Sequence, residues 1–95
     1  MKDFDGVAVF VEDIALRRAF GARVAALRHA RHLTQQELAE KLGVAVSTVS
    51  MYERGQREPS LGRLRMLTEI FGVDYNRLLG WEGAISNKHA DSERR

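Results

Sequence analysis

From Ile14 onward the apolar positions of the chain follow a helical period. Leu16, Phe20, Val24 and Leu27 recur at steps of four, four and three, building one stripe while Arg18, Ala22, Ala25 and His29 face away. The stripe predicts a first core helix that ends near Arg31 and His32. Thr34-Gln35-Gln36-Glu37 then reads as a capping box: the Thr34 hydroxyl accepts from the Glu37 backbone N–H and the Glu37 carboxylate reaches back. A second helix therefore opens at Gln35. It buries Leu38, Ala39 and Leu42, and Gly43 is placed to end it in a left-handed conformation that glycine adopts cheaply. A third helix is predicted from Val44 to Arg54, with Val44, Val49 and Tyr52 turned inward and Gly55 as its end. Ser60 caps a fourth whose face is Leu61, Leu64, Leu67, Ile70 and Phe71, closed by Gly72. Asp74 caps a short fifth helix carrying Leu78 and Leu79 and stopped by Gly80.

The two ends of the chain depart from this period. Val7-Ala8-Val9-Phe10-Val11 is a β-favouring run, the one strand candidate in the sequence. A lone strand leaves backbone groups unpaired, so it should pair with its copy in a second chain or lie on the domain as an extended arm. The plainer alternative is an apolar extension of the first helix or a partly disordered arm. Past Trp81, Ser86 to Arg95 carry too little apolar surface to fold. The expected organisation is an N-terminal arm over 1–18, an all-α, five-helix domain over 19–80, and a polar tail over 81–95.

Composition narrows the classes of function. Ninety-five residues at 44% hydrophobic support one core. With no apolar run of about 18 residues and no signal peptide, the expected location is cytoplasmic, with no membrane partner. No cysteine is present, so stability rests on packing and no thiolate metal site exists. The net charge of +2 hides an asymmetry. Asp3, Asp5, Glu12 and Asp13 oppose Lys2 at the start, whereas residues 14–31 hold Arg17, Arg18, Arg23, Arg28 and Arg31 and no acid. Such clustering, with a pI near 9.4, fits a phosphate-rich partner. His29, His32 and His89 have no cysteine or acidic cluster to complete a metal site, and Ser47 and Ser50 have no base beside them for nucleophilic catalysis. The sequence therefore calls for no metal, no cofactor and no enzymatic activity.

The stretch Gln35 to Arg54 is more specific. Two helices joined through Gly43-Val44-Ala45 sit at a wide angle only if the backbone turns sharply at Gly43, Ala39 is small, and Val44 and Val49 plug the corner. All four conditions hold. Leu33-Thr34-Gln35-Gln36-Glu37-Leu38-Ala39-Glu40-Lys41-Leu42-Gly43-Val44, followed by Ser47-Thr48-Val49-Ser50 and Tyr52-Glu53-Arg54-Gly55, resembles the helix-turn-helix family of lambda-type repressors, Cro proteins and xenobiotic-response-element-type regulators of bacteria and phage. The resemblance covers roughly residues 19–80. It implies a five-helix domain that binds double-stranded operator DNA as a two-fold homodimer, with a recognition helix at about 45–53 in the major groove and an inverted-repeat operator. It further implies phosphate contacts from Thr34, Gln35, Arg54 and Arg57, and a partly buried ion pair between Arg28 and Glu53.

Departures from the family pattern matter too. Ala45 stands where a polar N-cap is common, and Val46 and Met51 stand where polar base readers are common. The predicted base-reading face is Val46, Ser47, Ser50 and Met51, without a charge or an amide, which cannot make bidentate bonds to guanine or adenine but packs on thymine methyls. A T-rich half-site read partly through DNA shape is expected. The same apolar face opens a second reading, a module such as an antitoxin or co-regulator that docks a regulatory protein partner. Candidate dimer residues are Val9, Val11, Tyr75, Leu78 and Trp81.

Overall fold

A computed structural model describes the backbone of residues 2–80 and the side chains of residues 13–80. It contains α1 (Lys2–Ala30), α2 (Gln35–Leu42), α3 (Val46–Glu53), α4 (Leu61–Phe71) and α5 (Tyr75–Leu79), with no strand among the described residues. None of these helices is long and apolar enough to cross a membrane.

Of the two readings of Val7 to Val11, the strand does not form and the extension of the first helix does. That run, with Val9 and Val11 in it, is helical and continuous with the first core helix through residue 18. A helix satisfies its own N–H and C=O groups, whereas a single strand has nothing to bond to. Trp81 and the rest of the tail lie outside the described residues.

Local chemistry sets most of the boundaries. The capping box at α2 is complete: Glu37 N–H donates to Thr34 Oγ1 at 3.0 Å and Thr34 N–H donates to Glu37 Oε1 at 2.9 Å. Ser60 and Asp74 accept from the N–H groups of Arg63 and Arg77 at the starts of α4 and α5. Gly43 ends α2 at φ 72°, and the turn it makes delivers the Val44 N–H to the Ala39 carbonyl at 3.1 Å. The third helix starts two residues later than predicted, because Val44 and Ala45 complete the turn and Ala45, extended at ψ 152°, is an N-cap with no side-chain bond to offer. His32 sits at φ 58° where the chain leaves α1.

Phe20, Val24 and Leu27 from α1 pack on Leu38, Ala39 and Leu42, on Val49 and Tyr52, on Leu67 and Phe71, and on Leu78 to form one core. Two predicted core residues fall outside it. Leu61 is 82% exposed, since at 100° per residue it lies roughly 90° round α4 from the Leu64, Leu67 and Phe71 face. Leu16 is 46% exposed at the rim, where it lines an open groove with Phe20, Pro59, Leu64 and Leu79. Arg31 closes the opposite end: its guanidinium donates to the Phe71 carbonyl and lies 5.8 Å from that ring's centroid.

Candidate nucleic-acid interface

The α2–α3 pair is held at the surface by two kinds of contact. The first is a close backbone approach. Gly21 in α1 faces the end of α3 so tightly that a Cβ there would lie 2.6 Å from the Glu53 carbonyl oxygen and collide with that of Tyr52. Only a residue without a side chain allows α1 and α3 to meet at this point.

The second is a polar cluster just beneath that contact. Arg28 Nε donates to Glu53 Oε2 at 2.6 Å and its Nη2 donates to Oε1 at 3.1 Å. Its Nη1 donates to the Leu33 carbonyl at 2.8 Å, while Gln35 Nε2 donates to Glu53 Oε1 at 2.9 Å. The Glu53 carboxylate therefore ties the last residue of α3 to α1 and to the first residue of α2, and the Arg28 guanidinium extends the cluster to the α1–α2 loop. The cluster is satisfied, as no buried side-chain nitrogen or oxygen among the described residues lacks a partner. That completeness is the condition under which burying charge is tolerated.

With its inner side fixed by Val49 and Tyr52, α3 presents Ala45, Val46 and Ser47 to solvent, Val46 at 41% exposure, with Ser50 and Met51 half-buried beside them. Arg54 caps the C-terminus of α3 and is exposed, as is Arg57 in the loop that follows. An open hollow lined by Ala45, Thr48, Arg57, Ser60 and Arg63 flanks the start of α3. At the start of α2, the Glu37 N–H is taken by Thr34 Oγ1, which leaves the N–H groups of Gln35 and Gln36 without intrahelical partners beside exposed Thr34. The Gln35 side chain, rather than lying free, spends one of its amide N–H groups on Glu53.

Among the suggested dimer residues, Tyr75 is 47% exposed, but Leu78 is fully buried in the chain's own core and has no surface for a second copy. It is the fourth of the five residues of α5 and belongs to the same buried cluster as Leu67 and Phe71.

Two residues of this architecture escaped the sequence reading. Gly21 lies in an otherwise ordinary helical stripe, and a glycine inside a helical pattern was its single visible signal. Arg63 Nε donates to the Leu42 carbonyl at 3.1 Å, closing the end of α2 from 21 residues away, and nothing in its neighbourhood announces this.

Comparison with known proteins decides the family. The helix-turn-helix family profile matches residues 24–78, more than half of the chain. The chain belongs to the helix-turn-helix family. Its relatives include the HTH-type transcriptional regulator AnsR of Bacillus subtilis, 42% identical over 60 residues, which are 63% of this chain and 52% of that protein. The immunity repressor protein of Bacillus phage phi105 is 34% identical over 71 residues, 75% of this chain and 49% of the repressor. The chain thus spans about half the length of the curated relatives it matches. Among solved structures, the restriction-modification controller protein C.AhdI from Aeromonas hydrophila superposes with a TM-score of 0.63 at 35% identity, over 68% of this chain and 94% of that one. Within this helix-turn-helix chain α2 and α3 are the two motif helices, and the family match takes in both, together with the C-terminal end of α1 from residue 24, α4 and most of α5.

Proposed function

We propose that this helix-turn-helix chain is a bacterial or phage transcription regulator, a repressor, that binds operator DNA as a homodimer with α3 in the major groove. The observation that carries the reading is the disposition of α3. It is clamped at its C-terminal end by Gly21, Arg28 and Gln35, while Val46 and Ser47 are exposed near its start and Arg54 and Arg57 follow it in the chain. A reading helix needs that rigidity, and the flanking arginines suit phosphate oxygens because a guanidinium fork engages two at once. Thr34 and the N–H groups of Gln35 and Gln36 provide a further phosphate site at a helix N-terminus. Similar proteins that are a transcriptional regulator and an immunity repressor support the same reading.

The chemistry of the face sets the specificity. Val46 and Met51 pack on thymine methyls, and Ser47 and Ser50 offer hydroxyls to bases or phosphates, so the half-site is T-rich. A two-fold dimer places its recognition helices about 34 Å apart, which requires an inverted repeat with half-sites one turn apart. Such a protein acts on DNA in the cytoplasm and uses no cofactor. Selection of bound sites from random DNA, with a footprint upstream of the chain's own gene, tests this: a T-rich inverted repeat is expected, and a guanine-dominated or unrepeated site overturns it.

The uncharged outer face of α3 also supports a second reading, in which Val46 and Met51 dock a regulatory protein. Under that reading Arg54→Ala with Arg57→Ala leaves biological activity intact, whereas DNA binding requires both arginines.

A further inference from the structure

The described residues leave an apolar groove at the rim of the core, on the side of the molecule away from the Arg31 and Phe71 contact. It measures about 170 Å³ and is walled by Leu16, Phe20, Pro59, Leu64 and Leu79. Arg17 and Glu58, which also line it, are joined by a hydrogen bond of 3.2 Å that ties α1 to the loop before α4. An apolar cavity of about 150 Å³ holds a benzene ring, so this groove has room for an aromatic side chain.

The chain leaves the domain at the edge of this groove. Gly80 closes α5 at φ 78° and lies against Arg23, where an added Cβ would stand 3.7 Å from Arg23 Nε. Leu16, Phe20 and Arg23 follow one line along α1, at steps of four and three. Phe20 and Leu16 therefore stand about 4.5 and 10.5 Å along the helix from Arg23, at about 1.5 Å per residue. Trp81 is one link of about 3.8 Å beyond Gly80, and its side chain covers the remaining distance. Ile85 is the only other large apolar residue after Gly80, and it reaches the groove only by ordering Glu82, Gly83 and Ala84 as well, each at a cost in backbone entropy. The charges agree with Trp81 as the occupant. The carboxylates of Asp13 and Glu58 at the groove are acceptors for an indole N–H. Glu82 then stays by Arg23, its opposite in charge and about 15 Å along α1 from Asp13.

We propose that Trp81 turns back beside Arg23 and fills this groove within its own chain, which makes it a residue of the domain and withdraws it from any dimer interface. Its own chain outcompetes a second copy for the groove. Two links separate Trp81 from Leu79 in the groove wall, and so short a tether holds the ring at an effective concentration in the millimolar range, about a thousandfold above that of a micromolar protein. The inference is independent of the DNA reading, since it rests on the groove, the exit of the chain at Gly80 and the order of residues after it.

Trp81 is the single tryptophan of the chain and so reports on itself. In the full chain the proposal expects indole emission to the blue of the guanidinium-unfolded chain, unchanged over about a hundredfold dilution in the micromolar range. It also expects nuclear Overhauser contacts from the indole ring to the methyl groups of Leu16 and Leu79. Leu16→Asp, at a half-exposed position, should return the emission toward that of the unfolded chain while helical circular dichroism persists, and Leu61→Asp, at the exposed start of α4, should leave it unchanged. If Leu16→Asp does not fold, the ring-to-methyl contacts of the unaltered chain decide alone. An indole that emits as the unfolded chain does, one that is buried but indifferent to Leu16→Asp, or one without contacts to Leu16 and Leu79 overturns the proposal. So do contacts found only between isotope-labelled and unlabelled copies in a mixed sample, which place the Trp81 of a second copy in the groove.

Discussion

Arg28 and Glu53, 25 residues apart in sequence, share two hydrogen bonds of 2.6 and 3.1 Å while both side chains are more than nine-tenths buried. Glu53→Ala leaves a guanidinium without its counter-ion and removes the acceptor of Gln35. The expected loss is about 3 to 5 kcal/mol, a fall of more than about 10 °C in melting temperature. Replacing the pair together, with Arg28→Met and Glu53→Leu, should recover much of that loss, because the cost comes from stranding a charge rather than from losing the pair. An unchanged midpoint in Glu53→Ala contradicts this account.

The glycines of α1 and of the α2–α3 turn should respond differently to alanine. Gly43 has open space around its missing Cβ, so Gly43→Ala costs the backbone strain alone, about 1 to 2 kcal/mol. At Gly21 the obstacle is backbone of α3, which cannot rotate aside, and about 3 kcal/mol or more is expected together with a displaced α3. Denaturant unfolding ranks the two variants, and an equal or smaller loss at Gly21 contradicts the close approach.

His32 is the one described non-glycine residue at positive φ. Relief of the left-handed strain, about 1 to 2 kcal/mol, is offset by the entropy that glycine adds to the unfolded chain, about 0.5 to 1 kcal/mol. His32→Gly should therefore stabilise the protein by about 0.5 kcal/mol or slightly more, visible as a melting temperature raised by a few degrees.

Much of this architecture was legible because it is written in short-range chemistry. The Thr34 and Glu37 box, the Ser60 and Asp74 caps and the Gly43 turn each involve residues within a few positions of one another. The composition of the α3 face was legible as well, since Val46 and Ser47 need only the α3 period to be placed outside. What could not be read depends on distant partners. Gly21 matters because of Tyr52 and Glu53, and Arg63 because of Leu42, and no local pattern encodes either meeting. The Val7 to Val11 run was open between strand and helix for a related reason: β-branched residues report a local preference, which the continuity of α1 overrides.

If Val46 and Met51 read thymine methyls, the signal lies in the DNA rather than in a charge. Substituting deoxyuridine for thymidine within the half-site removes only methyl groups, and binding should weaken by about threefold to tenfold per contacted base, roughly 0.8 kcal/mol for each buried carbon. The same substitution should matter less to Val46→Ala. Equal binding of both DNAs by the unaltered chain contradicts apolar readout.

The central claim is that α3 meets DNA with Arg54 and Arg57 on the phosphates, and a salt titration of binding to the selected operator tests it most directly. A dimer making roughly six phosphate contacts should lose about 10³ in affinity between 50 and 200 mM salt. Arg54→Ala and Arg57→Ala should each weaken binding to every sequence alike and flatten the slope of log K against log salt, by about one for each contact removed. Binding that is flat across this range, or a slope unmoved when both arginines are replaced in a chain of unchanged melting temperature, contradicts the account.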